Sequence, residues 1–313
     1  MTISTTQLTA RIRTWALVAG LTGLMVALGA LIGGAFLWVF VVIAVAFNVV
    51  GYFYSDKIAL RAASARPLRR GDAPEVYEAV GELAWRAGIE MPRLFVMPGE
   101  QPNAFATGRN QEHAAIAMTE GLLTDFSLEH VRGVLAHEMA HIANRDMLVS
   151  SISAVIAGAI SAIANVLALS FLFGSDDEDG PLGMLGSLAA LVLAPIAATL
   201  LQLGVSRQRE YLADATAARL LGDGAPLADA LQEIERMQAP PLAIDPVTAP
   251  MYIVNPLAGR RLTSLFSTHP PLEERIRRLR SYGRSPAGRS ARSSESSASL
   301  PASSSREWIS SFW

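Results

Sequence analysis

Long stretches without any charged side chain are the feature that most constrains how this chain can fold. From Thr14 to Ser55 the sequence contains no Asp, Glu, Lys, Arg or His over 42 residues. A helix of that length would be about 63 Å long, roughly twice the hydrocarbon thickness of a bilayer. We therefore predict two transmembrane helices that reverse at Gly33 and Gly34. A signal peptide is the alternative, but the run is too long for one and lacks a small-residue cleavage site before a polar start.

Two more charge-free stretches, 147–175 and 181–206, predict a second pair of transmembrane helices. Both are rich in small side chains, so burial against protein is the alternative to a full crossing. Charged residues make up only 17% of the chain, below the roughly 25% of an ordinary soluble domain. The predicted fold class is a mainly α-helical integral membrane protein with four transmembrane helices in two hairpins.

Lys and Arg residues indicate which side of the membrane each polar segment occupies. They flank the outer ends of the four runs, at Arg11 and Arg13, within 57–70, at Arg145 and at Arg207. Neither short connecting loop contains a basic residue. By the positive-inside rule, both termini and both large polar segments lie on the cytoplasmic side.

The sequence VRGVLAHEMAHIANRD, residues 131–146, predicts a helix that carries a metal site. His137 and His141 are four residues apart, so both imidazoles project from one face of the helix and can reach a single ion. Glu138 lies about 100° further round the helix, where its carboxylate can face a bound water instead of the metal. A chance pair of histidines on a soluble helix is the alternative.

A catalytic zinc site needs a third protein ligand and an open position. The chain has no cysteine, so the ligand must be a histidine or a carboxylate. Glu210 and Asp214 are four residues apart on a predicted helix that follows the fourth transmembrane span. The histidine helix precedes the third span, and both helices are predicted to lie at the same membrane surface. We predict that Glu210 is the third ligand of one Zn²⁺ per chain and that Asp214 accepts the free ring N–H of a ligating histidine. A solvated acidic helix face is the alternative.

Short apolar segments between the first hairpin and the histidine helix predict a small β-sheet. They comprise 94–97, the strand after the turn in PNAFATG (102–108), and 113–118. We expect an extended peptide substrate to bind along the strand containing 113–118. Plain sheet core is the alternative interpretation of these residues.

Four motifs together resemble the HtpX family of bacterial membrane zinc metallopeptidases, which is related to the CAAX prenyl endopeptidases. They are HEMAHIANRDM (137–147), SRQREYLADATAARL (206–220), PNAFATG (102–108) and FSTHPPLEERIRRL (266–279). The resemblance extends over about residues 10–282. It implies a cytoplasmic α+β, zincin-like (gluzincin) catalytic domain on the bacterial inner membrane. It also implies His137, His141 and Glu210 as zinc ligands and Glu138 as general base.

The resemblance further implies that His269 and Arg275 lie near the zinc. Arg275, and also His269, could stabilise the oxyanion of the tetrahedral intermediate. Alternatively, His269 could occupy the open zinc position and hold the enzyme inactive, or both residues could belong to a capped helix start. His113 and His130 are interpreted as structural.

These expectations divide the chain into six segments. They are a cytoplasmic N-terminus (1–13), the first hairpin (14–55), the first part of the catalytic domain (56–146), the second hairpin (147–206), the second part of the catalytic domain (207–283) and a disordered Ser-rich tail (284–313).

The predicted function is hydrolysis of peptide bonds in misfolded or damaged membrane proteins, as part of membrane quality control and the stress response. The expected partners are protein substrates and the lipid bilayer. A net charge of −2 argues against nucleic acid, and the sequence does not indicate an oligomeric state. Three alternatives remain: a transporter, a scaffold or chaperone-like protein with a structural zinc, and a prenyl-protein-processing protease. The lack of ionisable groups in the apolar runs disfavours the transporter.

Overall fold

The computed structural model describes residues 19, 22, 23, 26, 34–147, 207–237 and 270–282. The predicted second hairpin lies outside the described residues apart from Met147, as do His269 and the Ser-rich tail. The first predicted span is represented by four separate residues only.

Helix α1 (Gly34–Ala62) begins at the predicted reversal and continues past Ser55 into the segment predicted to be soluble. Its outer surface exposes large apolar side chains, with Trp38 70% and Val42 67% accessible. Near its other end the buried Asp56 accepts a 2.7 Å hydrogen bond from Arg93. None of the helices within the described part of the chain combines the length and the apolar character needed to cross a membrane.

A four-stranded sheet follows, with the strand order β1-β2-β4-β3. The strands are β1 (Arg66–Pro67), β2 (Arg93–Met97), β3 (Ala104–Thr107) and β4 (Ala115–Thr119). β2 and β4 are parallel, whereas β1 and β3 run antiparallel to their neighbours. β4 is paired on both sides, so the expectation that substrate adds to the strand at 113–118 is wrong. Among the described residues, β3 is the edge strand on that side.

Strand alternation gives the sheet two apolar faces. Met97, Phe105, Ala115 and Ala117 pack with the last turns of α1. Residues at the alternate positions of the same strands face a larger core shared with the helices. The sheet therefore lies between the end of α1 and the helical layer.

The helical layer is built around the histidine helix. Its members are α2 (Pro74–Ala87), α3 (Glu120–Asp125), α4 (Leu128–Asn144), α5 (Arg207–Leu221), α6 (Ala225–Arg236) and α7 (Leu272–Tyr282). Ser127 caps α4 by accepting a hydrogen bond from the backbone N–H of His130, as the sequence leads one to expect for an N-cap serine. α4 packs against α2, α5, α6 and β3, so its histidine face is enclosed by protein.

Helix α7 is held against α5 and α6 by close packing and by arginine contacts. A Cβ atom added to Gly224, at the start of α6, would lie 2.2 Å from the carbonyl oxygen of Leu279. The Arg278 guanidinium lies 3.8 Å from the centre of the Tyr211 ring, and Arg280 donates to Asp229. This docking brings Arg275 into the interior beside the histidine helix.

Candidate metal centre

His137 and His141 of α4 and Glu210 of α5 converge on one point. Their ligand atoms all lie within 4.8 Å of one another. The two histidine Nε2 atoms are 3.1 Å apart, and each lies 3.6 Å from a different oxygen of Glu210. A tetrahedral zinc ion with ligands at about 2.0–2.1 Å holds its donor atoms about 3.3 Å apart. The three side chains are therefore already close to the arrangement that a single ion requires.

Local sequence explains why the two helices approach so closely. The i, i+4 spacing places both histidines on one face of α4. On α5, Ala213 and Ala217 are fully buried and lie three and seven residues after Glu210, on the same side of the helix, where small side chains allow close packing. Glu210 is buried in the first turn of α5, so its carboxylate reaches the histidines across this narrow interface.

Each histidine is oriented by its own carboxylate. Nδ1 of His137 lies 2.9 Å from Oδ1 of Asp214, and Nδ1 of His141 lies 3.0 Å from Oδ1 of Asp146. A ring that donates through Nδ1 keeps the lone pair of Nε2 free for a metal. Both Nε2 atoms accordingly point toward Glu210.

Glu138 links the centre to the edge strand of the sheet. Its carboxylate is almost fully buried and accepts a hydrogen bond from the backbone N–H of Ala106 in β3. Burial is the main reason that the pKa of Glu138 is raised, and the nearby Glu210 adds to the shift. The two histidines act in the opposite direction. A carboxyl group with a raised pKa is suited to accept and return a proton near neutral pH.

The electrostatics of the cluster favour a bound cation. Burial lowers the pKa of His141, but the Asp146 and Glu210 carboxylates outweigh burial and raise the pKa to about 10. Burial also lowers the pKa of His137, yet hydrogen bonds with carboxylates leave it raised. Four acidic groups surround the two imidazoles, namely Glu138, Asp146, Glu210 and Asp214. The raised pKa values show that these carboxylates favour positive charge at the two imidazoles, and a divalent cation bound at their Nε2 atoms would supply that charge in place of protons.

Arg275 is fully buried and contacts the centre through Asp214. Its Nε and Nη2 atoms donate to the two oxygens of that carboxylate at 2.9 and 2.8 Å. Nη2 also lies 3.4 Å from both ring nitrogens of His137, so the guanidinium contacts this imidazole as well as Asp214. Burial on its own raises the pKa of Asp214. The charge of Arg275 and the hydrogen bonds with His137 and Arg275 together outweigh burial and lower this pKa to about 2. An oxyanion role for Arg275 stays a prediction.

His113 and His130 are not part of this cluster. Nδ1 of His113 lies 2.7 Å from Asn110, and Nδ1 of His130 lies 2.5 Å from a Glu233 oxygen. His269 is outside the described residues, so its role stays a prediction.

Comparison with known proteins identifies the family to which this centre belongs. The family model described as "Peptidase family M48" matches residues 71–283, which include all the side chains of the candidate metal centre. The chain belongs to peptidase family M48. It is a metallopeptidase, as the sequence predicted. The resemblance to the HtpX family is also confirmed, because this chain aligns with curated HtpX homologues over almost the whole length of those proteins.

Two of the curated relatives illustrate the match. A "Protease HtpX homolog" of Syntrophobacter fumaroxidans is 49% identical over 278 residues, covering 87% of this chain and 99% of the relative. One from Pyrococcus furiosus is 48% identical over 273 residues, covering 86% and 94% respectively. Among solved structures, the crystal structure of S. mikatae Ste24p aligns with a TM-score of 0.48 and 21% identity, covering 88% of this chain and 67% of that one.

Sequence reasoning missed Asp146 as a member of this M48 centre. The residue lies beyond the last turn of α4, so helical spacing from His141 does not predict a contact. The available signal was an acidic residue directly after the end of a histidine-bearing helix.

Proposed function

We propose that this M48 peptidase is a zinc-dependent endopeptidase, with His137, His141 and Glu210 as the metal ligands. The observation that carries the proposal is the convergence of three ligand atoms beside the buried carboxylate of Glu138. Two imidazoles and one carboxylate are the ligand set of catalytic zinc sites, in which a fourth position is left for water or substrate. Bound there, zinc would act as a Lewis acid and lower the pKa of a coordinated water toward about 7.

Glu138 is proposed as the general base. The Ala106 N–H holds its carboxylate in place, and the raised pKa suits a group that must be protonated and deprotonated in each cycle. Glu138 would take the proton of the attacking water and pass it to the leaving amine. Asp214 would hold His137 in the tautomer that presents Nε2, and Arg275 would fix Asp214 in turn.

The edge strand β3 is proposed to align the substrate. Ala106 directs its N–H toward Glu138 and away from β4, so this side of β3 faces the centre. An extended peptide lying along that side would pass next to Glu138. The substrate class that fits is an unfolded or locally extended protein segment.

We further propose that the enzyme resides in the bacterial inner membrane and acts on misfolded or damaged membrane proteins. The charge-free runs, the distribution of Lys and Arg and the exposed apolar surface of α1 support four spans with a cytoplasmic catalytic domain. Apart from Met147, the third and fourth spans fall on residues outside those described. In this proposal, His269 either assists the oxyanion or blocks the open zinc position.

Metal removal and replacement tests the proposal. Detergent-purified protein stripped with a chelator should lose cleavage of casein, and stoichiometric Zn²⁺ should restore it. Calcium or magnesium serves as the control, because histidine nitrogens are poor ligands for these hard cations. Cleavage that persists in fully metal-free protein would overturn the zinc-peptidase proposal. Zinc binding without any cleavage would favour the structural-zinc scaffold instead.

A further inference from the structure

We propose that Asp146 is a positioning residue of the metal centre, acting on His141 as Asp214 acts on His137. The inference rests on the proposed metal site and adds to it a second orienting carboxylate. Its consequence is that Asp146, which is neither a ligand nor in contact with the reacting atoms, sets a substantial part of the zinc affinity.

The two histidine–carboxylate pairs are nearly equivalent in geometry. The Nδ1–Oδ1 distance is 3.0 Å in the His141–Asp146 pair and 2.9 Å in the His137–Asp214 pair. In both pairs the opposite ring nitrogen lies 3.6 Å from Glu210. Each imidazole is therefore held between one orienting carboxylate and one ligand carboxylate.

An unusual backbone conformation brings Asp146 to this position. Arg145 ends α4 in the left-handed region, with φ 60° and ψ 34°, which non-glycine residues seldom adopt. Only one other non-glycine residue of the described ranges, Ser64, has a positive φ. The turn folds the chain back so that the Asp146 N–H donates to the carbonyl oxygen of His141 at 3.3 Å. Asp146 thus contacts both the backbone and the ring of the same histidine.

The burial of Asp146 indicates that the His141 contact is its main electrostatic support. The residue is only 4% exposed, and its second oxygen, Oδ2, is buried without a hydrogen-bond partner among the residues that the structure describes. A buried carboxylate with so few partners is unfavourable unless positive charge lies nearby. A histidine that carries a cation on its other nitrogen supplies that charge, which explains why an aspartate is tolerated here.

The chemistry of such a contact is direct. A carboxylate that accepts the Nδ1–H fixes the ring tautomer and its orientation, and it makes the Nε2 lone pair a better donor to the metal. Loss of an orienting partner of this kind typically weakens metal affinity about 10–100-fold. If the two pairs are equivalent, removing either carboxylate should weaken the zinc affinity to a similar extent.

The test compares zinc affinity in three variants of the full, detergent-purified chain. Asp146→Asn and Asp214→Asn each remove one orienting charge with little change of shape. Asp125→Asn removes the same charge at an exposed position at the end of α3 and is the matched control. Affinity is measured by competition with a chromophoric chelator, and the visible spectrum of the cobalt-loaded protein reports ligand geometry.

The expected result is a 10–100-fold weaker affinity and an altered cobalt spectrum for both site variants, with the control equal to wild type. Affinity of Asp146→Asn within twofold of wild type would overturn the inference while leaving the zinc site intact. Failure of the wild type itself to bind zinc would instead overturn the proposed function.

A second measurement needs no substitution at Asp146 and covers the case in which that variant does not fold. The chain has five histidines, so ¹⁵N-histidine spectra of the zinc-loaded protein are simple enough to assign with His113→Gln and His130→Gln variants. We expect His141 to be metal-bound at Nε2 and protonated at Nδ1. Zinc on Nδ1 of His141 would contradict the inference.

Discussion

Replacing Arg275 with methionine should destabilise the catalytic domain far more than removing any exposed arginine. The guanidinium is fully buried and donates twice to Asp214, at 2.9 and 2.8 Å. Without it, Asp214 keeps a buried negative charge whose remaining contact in this cluster is His137. Breaking a buried ion pair by removing one partner costs about 3–5 kcal/mol, mostly because a charge is left uncompensated.

The assay is thermal unfolding of the detergent-purified, metal-free protein in a double-mutant cycle. For a domain of this size, about 3–5 kcal/mol corresponds to a fall in Tm of roughly 6–20 °C. Arg275→Met and Asp214→Asn should each be strongly destabilising. The double variant should be more stable than the sum of the two effects predicts, by about 1–3 kcal/mol, because it leaves no unpaired charge.

Arg280→Met is the matched control, because this arginine of the same helix is 46% exposed and pairs with the half-exposed Asp229. Its loss should change stability by no more than about 1 kcal/mol. Equal effects of Arg275→Met and Arg280→Met would refute the reasoning, as would strict additivity in the cycle. An effect on kcat alone, with stability and zinc affinity unchanged, would favour the oxyanion role.

Acid should destabilise the metal-free protein between about pH 4 and pH 2. The pKa of Asp214 is lowered from 3.8 to about 2 in the folded protein. The ionised carboxylate therefore adds about 2 kcal/mol to the free energy of unfolding at pH values above 3.8, and this contribution is lost as the pH falls to the folded-state pKa. Urea titrations across this range should show the loss in wild type and a flatter profile in Asp214→Asn; identical profiles would contradict the assignment. Ala106→Pro removes the backbone N–H of β3 that donates a hydrogen bond to Glu138. It should lower kcat/KM while leaving zinc content unchanged, and an activity equal to that of Ala106→Gly would count against β3 as the substrate strand.

Local sequence patterns predict which three side chains come together at the candidate metal centre. The ligand pair on α4 follows from helical spacing, and Glu210 follows from the order of the predicted spans. The first inference depends only on residues close together in the sequence. The second also requires that two helices meet at the same surface of the membrane. The structure brings these residues together as expected.

The contacts that depend on tertiary packing could not be predicted from residue patterns, although the family resemblance implied that Arg275 lies near the zinc. Arg275 meets Asp214 only because α7 docks tightly on α6, which no periodicity in either segment encodes. The order of strands in the sheet is likewise a long-range property, so the sequence does not indicate that β4 is paired on both sides. A charge-free run also does not mark the end of a helix: α1 continues beyond Ser55 because Asp56 finds a partner in Arg93.

The central claim, hydrolysis by Glu138 at a zinc site, is tested most directly by one comparison. Wild type and Glu138→Gln are purified in detergent with a chelator present, reloaded with zinc, and assayed for both zinc content and casein cleavage. The variant keeps the size of the side chain and an acceptor for the Ala106 N–H but cannot take up a proton. We predict one zinc per chain in both proteins and cleavage by wild type alone. Cleavage by Glu138→Gln at the wild-type rate, with zinc bound, would contradict the account.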